Sequence, residues 1–263
     1  MVWIKRLAFF PVFFYLSCSS EIKNNGNVFV IVTYDDVTDW DPATAFSLEV
    51  LPMSNIYEPL LWFDASGDDH KMIPALATDY TKSEDGLIWT FKLRKNVYFH
   101  DGQYFDAEAV KYVVDRNKSL YRGASYIWSN VKEVRADDKH RVTFILDKAV
   151  PLDRIVSSQY GAWMYSPATK NMSSDSIAKG HVAGTGPYMF NSWQRNHQIE
   201  LVRNNRYWGG WEQPHYFETI QIRVVSESST RLQMIESGLA DYAVLIPNQL
   251  LDRLKTLDDV RVS

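Results

Sequence analysis

The chain has 263 residues, 46% of them hydrophobic and 23% charged, so it can bury a core of one large domain or two moderate ones. Its formal net charge is −4, and no run of lysine or arginine forms a basic stripe, which argues against a nucleic-acid partner. A single cysteine, Cys18, excludes an internal disulfide.

The N-terminus has the order of a secretory signal peptide. Lys5 and Arg6 precede an apolar stretch, Leu7 to Leu16, which at 1.5 Å per residue covers only about half of a bilayer core. Because this stretch is too short to span a membrane, it favours a cleaved signal over an anchor helix. A buried amphipathic N-terminal helix is the alternative, although the stretch has no polar face.

The cysteine directly follows the apolar stretch. Ser17-Cys18 resembles the site at which bacterial lipoprotein signals are cleaved before a cysteine that becomes lipidated. An unmodified small residue at the end of an ordinary signal is the simpler alternative. We expect residues 1–18 to be a signal peptide with a lipoprotein-type Cys18 that anchors the protein to a membrane. Residues 19–27 are expected to be a solvated tether, because they lack the apolar side chains that would offset the entropy of ordering.

Two strands of different kinds are predicted in the first third of the chain. Val28 to Tyr34 is a continuous apolar run rich in β-branched residues, which predicts a strand covered on both faces. Ile88 to Arg94 alternates instead, with Trp89, Phe91 and Leu93 on one side. That alternation predicts a half-buried strand.

Helices and strands are interspersed in the rest of the chain. Asp106 can cap a helix from Ala107 to about Asn117. Later elements are predicted as five strands and two helices: Val131 to Ala136, Val142 to Leu146, Tyr188 to Trp193, Ile199 to Arg203 and Phe217 to Val225, then Ser229 to Ser237 and Pro247 to Leu257. Because strict βαβ alternation is lacking, we predict an α/β or mixed α+β fold with a mixed sheet.

Two short motifs invite a chemical interpretation that the sequence does not support. His100 has no second ligand-type residue at metal spacing, so we interpret it as part of a turn. The Gly184 to Pro187 stretch lacks the Lys-Ser/Thr of a phosphate loop, and we interpret it as a sharp entry to a strand that needs positive φ. Neither G-x-S-x-G nor H-E-x-x-H occurs, so we predict neither an enzyme nor a cofactor.

Three blocks carry a family resemblance. Leu87 to Tyr112 contains W-T-F-x-L-R, then F-H-D-G, then an A-E-x-V helix start. With Gly184 to Gly210 and Ser229 to Val244, in this order, it resembles the family 5 bacterial solute-binding proteins, the peptide, dipeptide and nickel receptors of ABC importers. The resemblance extends from Val28 to the end of the chain.

The resemblance implies a lobe of the type II periplasmic-binding-protein fold. Family members have two lobes that enclose the ligand and are about twice as long, so it implies the first lobe with the second lobe missing. On this interpretation residues 28–60 are the first segment of that lobe and residues 61–165 its inserted layer. Residues 166–263 are the second segment, ending near the crossover between lobes.

The resemblance also implies where a ligand would bind. It places ligand-facing backbone just after Asp41-Pro42 and an aromatic wall in the GASYIWSN stretch. The implied ligand-binding residues are Ala45, Phe46, Ser47, Leu48, Tyr126 and Trp128. For the two aromatic residues, packing in the core is the alternative.

The expected function is capture of a small solute, most simply a peptide, on the periplasmic or extracellular side of the cell envelope. Delivery would be to the permease subunits of an ABC importer, with membrane attachment through the lipid anchor. A nickel-complex receptor of the same family is an alternative, although the six histidines are scattered. An envelope interaction or sensor protein built on a one-lobe fragment is the alternative from another class.

Overall fold

The computed structural model describes residues 27–66, 71–211, 217–254 and 260–261. The predicted signal peptide, Cys18 and the tether up to residue 26 lie outside these ranges. The strands are β1 Val28–Thr33, β2 Leu61–Asp64, β3 Lys71–Pro74, β4 Ala77–Lys82, β5 Ile88–Leu93, β6 Val131–Asp138, β7 Arg141–Leu146, β8 Tyr188–Gln194, β9 Gln198–Arg203, β10 Thr219–Val224 and β11 Tyr242–Ala243. The helices are α1 Val50–Ile56, α2 Ala107–Leu120, α3 Leu152–Ile155, α4 Ser174–Ala178, α5 Ser228–Glu236 and α6 Asn248–Leu254.

The larger sheet is mixed, as predicted. Its strand order is β11-β1-β10-β9-β8; β1 is parallel to both β10 and β11, whereas β8, β9 and β10 pair antiparallel. Val30 and Val32 pack on one side with Ala240, while Ile31 joins the main core on the other side. The prediction that β1 is covered on both faces is therefore confirmed.

The second layer contains an antiparallel four-stranded sheet in the order β4-β5-β7-β6. Trp89, Phe91 and Leu93 of β5 are buried, which confirms the predicted alternation. Phe91 packs edge-on against Phe144 of β7 with ring centroids 5.5 Å apart. A separate hairpin joins β2 and β3.

Helix α2 supports loops that form the candidate binding site described in the next subsection. It begins after Asp106, whose carboxylate accepts a hydrogen bond of 3.0 Å from the Ala109 amide, as the predicted N-cap requires. The helix runs three residues further than predicted and ends before Tyr121, which has a left-handed φ of 49°. Its apolar side, which includes Val110 and Val113, lies in the core.

The glycines of the Gly184 to Pro187 stretch serve close approach, and the expectation of positive φ is wrong for both. A Cβ at Gly184 would lie 2.0 Å from the Ile56 carbonyl oxygen, and a Cβ at Gly186 would lie 2.5 Å from that of Asn55. The Gly186 amide donates to the Ile56 carbonyl at 2.9 Å. Only residues without a side chain allow this segment to contact the end of α1.

Within the described ranges, none of the helices combines the length and apolar character needed to cross a bilayer.

Candidate ligand-binding site

The parallel strands β1, β10 and β11 all end at one edge of the larger sheet. Ligands of open α/β sheets bind outside the carboxyl ends of the strands, so this edge is the candidate site. The chain leaves β1 there and continues as residues 34–49, the first site loop. Residues 121–130 form the second site loop, and residues 157–161 form the third.

An ion pair between buried Asp41 and half-buried Arg116 holds the first site loop against α2. The Arg116 guanidinium donates to both carboxylate oxygens of Asp41, at 2.9 and 2.7 Å, and to the Tyr165 hydroxyl at 3.0 Å. Although burial opposes the charged form, Asp41 keeps the pKa of Arg116 above its ordinary value. Behind this pair, the Thr44 and Ala45 amides donate to the Asp41 carbonyl, so the loop turns tightly at this point.

Glu49 closes the first site loop from its other end. Its carboxylate accepts hydrogen bonds from the Thr38 amide and hydroxyl, from the Asp39 amide and from the Ser47 amide, at 2.7 to 3.1 Å. Burial acts to raise the pKa of Glu49, but the hydrogen bonds from Thr38 and Asp39 outweigh it and hold the pKa below its ordinary value. The loop is therefore held by two buried carboxylates, Asp41 near its middle and Glu49 at its end.

The three site loops contact one another through backbone at glycines. The Ala124 amide donates to the Thr44 carbonyl at 3.2 Å, and a Cβ at Gly123 would lie 2.1 Å from that carbonyl oxygen. A Cβ at Gly161 would lie 2.7 Å from the Ala124 carbonyl oxygen. Both glycines also have positive φ, so these positions require glycine for conformation as well as for space.

The structure places four of the six expected ligand-binding residues at least partly in solvent. Phe46 and Tyr126 are 65% and 74% exposed, Ser47 is exposed and Leu48 is half-buried. Ala45 is buried, and its amide is bonded to the Asp41 carbonyl, so the structure does not place it on the surface. Exposing large aromatic rings to water is unfavourable in free energy, so a partner that covers them would gain the free energy of burying their apolar surface.

Trp128 lies in the core rather than on the site surface, which supports the alternative interpretation of this residue. Its side chain is fully buried and stacks on Phe144 with ring centroids 6.2 Å apart. Its indole nitrogen donates to the Gly161 carbonyl at 2.8 Å, and the Asn117 side-chain Nδ2 donates to the same oxygen at 2.9 Å. Trp128 therefore fixes the third site loop and offers no face to a ligand.

Two further aromatic residues belong to the site loops and were not expected. Tyr121 is 93% exposed and begins the second loop, and Tyr160 is exposed in the third. Each precedes a positive-φ glycine, Gly123 or Gly161, within two residues. The sequence signal that could have indicated these two residues is an aromatic residue one or two positions before a loop glycine.

A second polar cluster, around Glu58, is structural. Glu58 is buried and accepts hydrogen bonds from the Tyr207 hydroxyl, the Trp208 indole and the Thr185 hydroxyl, at 2.9, 2.7 and 2.8 Å. Burial raises the pKa of Glu58 above its ordinary value, against the effect of these three donors. Arg94 stacks over Trp208 with its guanidinium 4.1 Å from the ring centroid. The cluster joins segments distant in sequence.

His100 is also explained by the fold. Its Nε2 lies 3.0 Å from the Gly186 carbonyl, and its amide donates to the Gly184 carbonyl at 2.8 Å. Burial lowers the pKa of His100 to about 4, so the ring is neutral at pH 7 and donates through Nε2–H. These contacts fit the turn role that the sequence predicted.

Loops held in this way, with exposed aromatic rings, form the candidate ligand-binding surface. In the part of the chain that the structure describes, no three His, Cys, Asp or Glu side chains are grouped so that they could hold a metal ion. The chain belongs to the bacterial extracellular solute-binding proteins of family 5, since the model described as "Bacterial extracellular solute-binding proteins, family 5 Middle" matches residues 71–263. The family resemblance is confirmed.

Two curated relatives illustrate the range of the family. The probable D,D-dipeptide-binding periplasmic protein DdpA of Escherichia coli K12 is 30% identical over 213 residues, which cover 79% of this chain and 41% of DdpA. The glutathione-binding protein GsiB of Escherichia coli O6:K15:H31 is 29% identical over 250 residues, which cover 92% and 46%. The chain thus spans less than half the length of these relatives.

A solved structure confirms the fold class. The periplasmic binding protein DppA of Helicobacter pylori, in complex with the peptide STSA, matches with a TM-score of 0.76 at 27% identity, over 88% of this chain and 49% of that one. The fold is therefore a lobe of the periplasmic-binding-protein type, with a mixed sheet. These relatives are substrate-binding proteins, which also confirms that the chain is not an enzyme.

Proposed function

We propose that this chain supplies the ligand-capturing lobe of a substrate-binding protein that binds small peptides at the cell envelope and delivers them to the permease subunits of an ABC importer. The observation that carries the proposal is the surface of the site loops: Phe46 is exposed on the first loop, which Asp41 and Glu49 hold, and Tyr121 and Tyr126 are exposed on the second, which is hydrogen-bonded to the first. Rigid rings supply apolar contact area at a low entropic cost.

The preference for a peptide over a nickel complex rests on the chemistry of these loops. Residues 34–49, 121–130 and 157–161 contain no histidine and no cysteine. Imidazole and thiolate are the side-chain ligands that nickel prefers, so these loops offer it none. They do offer backbone groups and aromatic faces, which suit peptides whose side chains vary. The dipeptide named for DdpA and the peptide STSA bound to H. pylori DppA support the same class.

A titration followed by NMR tests the proposal. Residues 19–263, labelled with ¹⁵N, are titrated with di- to pentapeptides, and we expect shifts of the amide signals of Phe46, Ser47 and Tyr126. Tyr126→Ala should weaken the response, whereas Tyr98→Ala should not, because Tyr98 is an exposed tyrosine outside the site loops. Response to nickel–histidine complexes but not to peptides would favour the alternative receptor. Absence of any response in the site loops would contradict both.

We further propose that the mature protein starts at a lipidated Cys18. Several acyl chains give firm membrane attachment, whereas one chain alone binds only marginally. Mass spectrometry of the membrane fraction is expected to show an acylated N-terminal peptide, and Cys18→Ala should release the protein or leave its signal uncleaved. A soluble wild-type protein with another N-terminus would contradict the anchor but not the binding function.

A further inference from the structure

Arg231, on α5, joins two segments that leave the larger sheet at its carboxyl edge. The side chain is buried, at 3% exposure, and its guanidinium donates to the Val225 and Ser226 carbonyls after β10, at 2.8 and 2.9 Å. It also donates to the Leu245 carbonyl after β11, at 2.8 Å. Within the described residues its Nε has no hydrogen-bond partner. Through these three carbonyls the buried arginine links the chain where it leaves β10 to the chain where it leaves β11. We call these two segments the exits and Arg231 the clamp between them.

The residue that the clamp holds has an unusual conformation. Leu245 has a φ of 50°, in the left-handed region that non-glycine residues with γ-branched side chains rarely adopt. Its side chain is nevertheless 66% exposed, so packing in the core does not repay the strain. Strained backbone of this kind is concentrated at ligand clamps and functional sites.

The position of Leu245 fits such a role. It lies two residues after the short strand β11, which is parallel to β1, and the intervening Val244 amide donates to the Val32 carbonyl at 2.9 Å. The first site loop begins two residues after Val32, at Tyr34, which is exposed as well. The exposed Leu245 therefore lies at the same strand ends from which the first site loop starts.

We propose that Leu245 contacts an apolar side chain of the bound peptide and that Arg231 is a positioning residue that holds Leu245 for this contact. This inference rests on the proposed peptide-binding function and extends its site across the strand ends to β11. Arg231 fixes the left-handed conformation of Leu245 through its hydrogen bond to the Leu245 carbonyl. On this proposal the strained conformation has a use, because it directs the leucine side chain to solvent instead of to the core.

Variants at position 245 separate a binding role from a structural one. Leu245→Gly keeps the left-handed conformation, which glycine adopts freely, and removes only the side chain. Its melting temperature should be at or above that of the wild type, while its Kd for a leucine-containing tripeptide, followed by NMR, should rise about three- to tenfold. If the leucine had a purely structural role, its removal would lower the melting temperature and leave the Kd unchanged.

The matched control is Leu239→Ala. Leu239 is an exposed leucine at the opposite end of β11, before the strand begins, so its removal should leave the Kd unchanged. Replacing leucine by glycine in the peptide should produce the same loss in wild-type protein and no further loss in Leu245→Gly, because the two apolar partners act as a pair.

Arg231→Lys tests the positioning role. A single ammonium lacks the planar fork that bonds both exits, so hydrogen exchange at Val244 to Ile246 should accelerate and the Kd should rise. The double variant Arg231→Lys/Leu245→Gly should bind no more weakly than Leu245→Gly alone. Additive losses in a protein with native spectra would overturn the positioning role.

The outcomes distinguish this inference from the proposed function. If peptides shift the site-loop signals but Leu245→Gly binds them as the wild type does, the role of Leu245 is refuted and the binding function stands. If no peptide shifts any site-loop signal, the proposed function itself fails.

Discussion

At the scale of single residues, buried carboxylates organise this lobe. Asp41, Glu49 and Glu58 are almost fully buried, and each accepts several hydrogen bonds. Burying an ionised group is costly unless it is paired or hydrogen-bonded, so each of these residues fixes the groups around it. Asp41 and Glu49 fix the first site loop, whereas Glu58 fixes the core contact between α1 and the segment near Trp208.

The Asp41–Arg116 pair gives a direct test of this principle. Asp41→Asn leaves the half-buried Arg116 cation without its counter-charge. Breaking a fully buried pair costs about 3 to 5 kcal/mol, and this pair, with Arg116 partly in solvent, should cost less than that but more than an exposed pair. We expect a lower free energy of unfolding, measured by urea denaturation, and faster amide hydrogen exchange in the first site loop.

The same helix provides the control. Lys111 and Asp115 form an exposed ion pair with a distance of 2.7 Å, and an exposed pair contributes about 0 to 1 kcal/mol. Asp115→Asn should therefore leave stability nearly unchanged. Equal losses in the two variants would show that burial does not set the strength of the Asp41 anchor.

At the scale of elements, the hydrophobic periodicity of the sequence predicts the strands and helices that are held mainly by packing of their apolar side chains. The strands β1 and β5 and the helix α2 lie where apolar patterning and the Asp106 cap place them. By contrast, α1 was missed because it is only seven residues long and carries Pro52, which reads as a breaker although proline is tolerated in a first turn. The four-residue strands β2 and β3 were missed because they are too short to show a period.

The surroundings of single side chains were harder to predict than the strands and helices, because they depend on contacts between distant parts of the chain. Glu58 reads as a surface residue in the sequence, and it becomes a buried acceptor only because its donors come from residues 127 to 150 positions away. Trp128 and Tyr126 lie two residues apart in one loop, yet one is buried and the other is exposed. Both lie in a 3₁₀ helix of six residues, Gly123–Trp128, which is too short to show a period in the sequence, so the resemblance located the segment but did not decide which ring points outward.

The face assigned to β5 gives a test at this scale. Trp89 is buried, stacks on Tyr80 with ring centroids 5.7 Å apart, and donates from its indole to the Gly86 carbonyl at 3.0 Å. Trp89→Ala removes this packing, and truncating a buried aromatic costs about 3 to 5 kcal/mol. We expect a much lower melting temperature or loss of soluble expression.

Ile88, the exposed neighbour of Trp89 on the same strand, supplies the comparison. Ile88→Ala removes a large apolar side chain that solvent already reaches, so its melting temperature should stay close to that of the wild type. If Trp89→Ala were equally harmless and changed only peptide binding, the two faces of β5 would be assigned wrongly.

At the scale of the whole molecule, the site is one wall. The first site loop and the exit after β11 leave the sheet at one edge, the second site loop contacts the first and the third contacts the second. Phe46, Tyr121, Tyr126 and Leu245 are exposed on this surface. A pocket that binds a small ligand well buries about 70 to 90% of its surface. In family members with two lobes, as the resemblance implies, closure of the second lobe would add the missing contacts and stabilise the bound state.

This geometry limits the affinity of the chain when it is expressed alone. We expect residues 19–263 to bind no di- to pentapeptide with a Kd tighter than about 1 mM, equivalent to roughly −4 kcal/mol, because one wall leaves much of the peptide in water. Calorimetric titration of the purified monomer measures this value, and light scattering measures the self-association that an uncovered apolar surface promotes. Phe46→Ser should reduce self-association, whereas Ile73→Ser, at an exposed position on the β2–β3 hairpin, should not. Micromolar binding by the monomer would show that this wall is sufficient, and that its aromatic rings and loop backbone enclose the peptide without a second lobe.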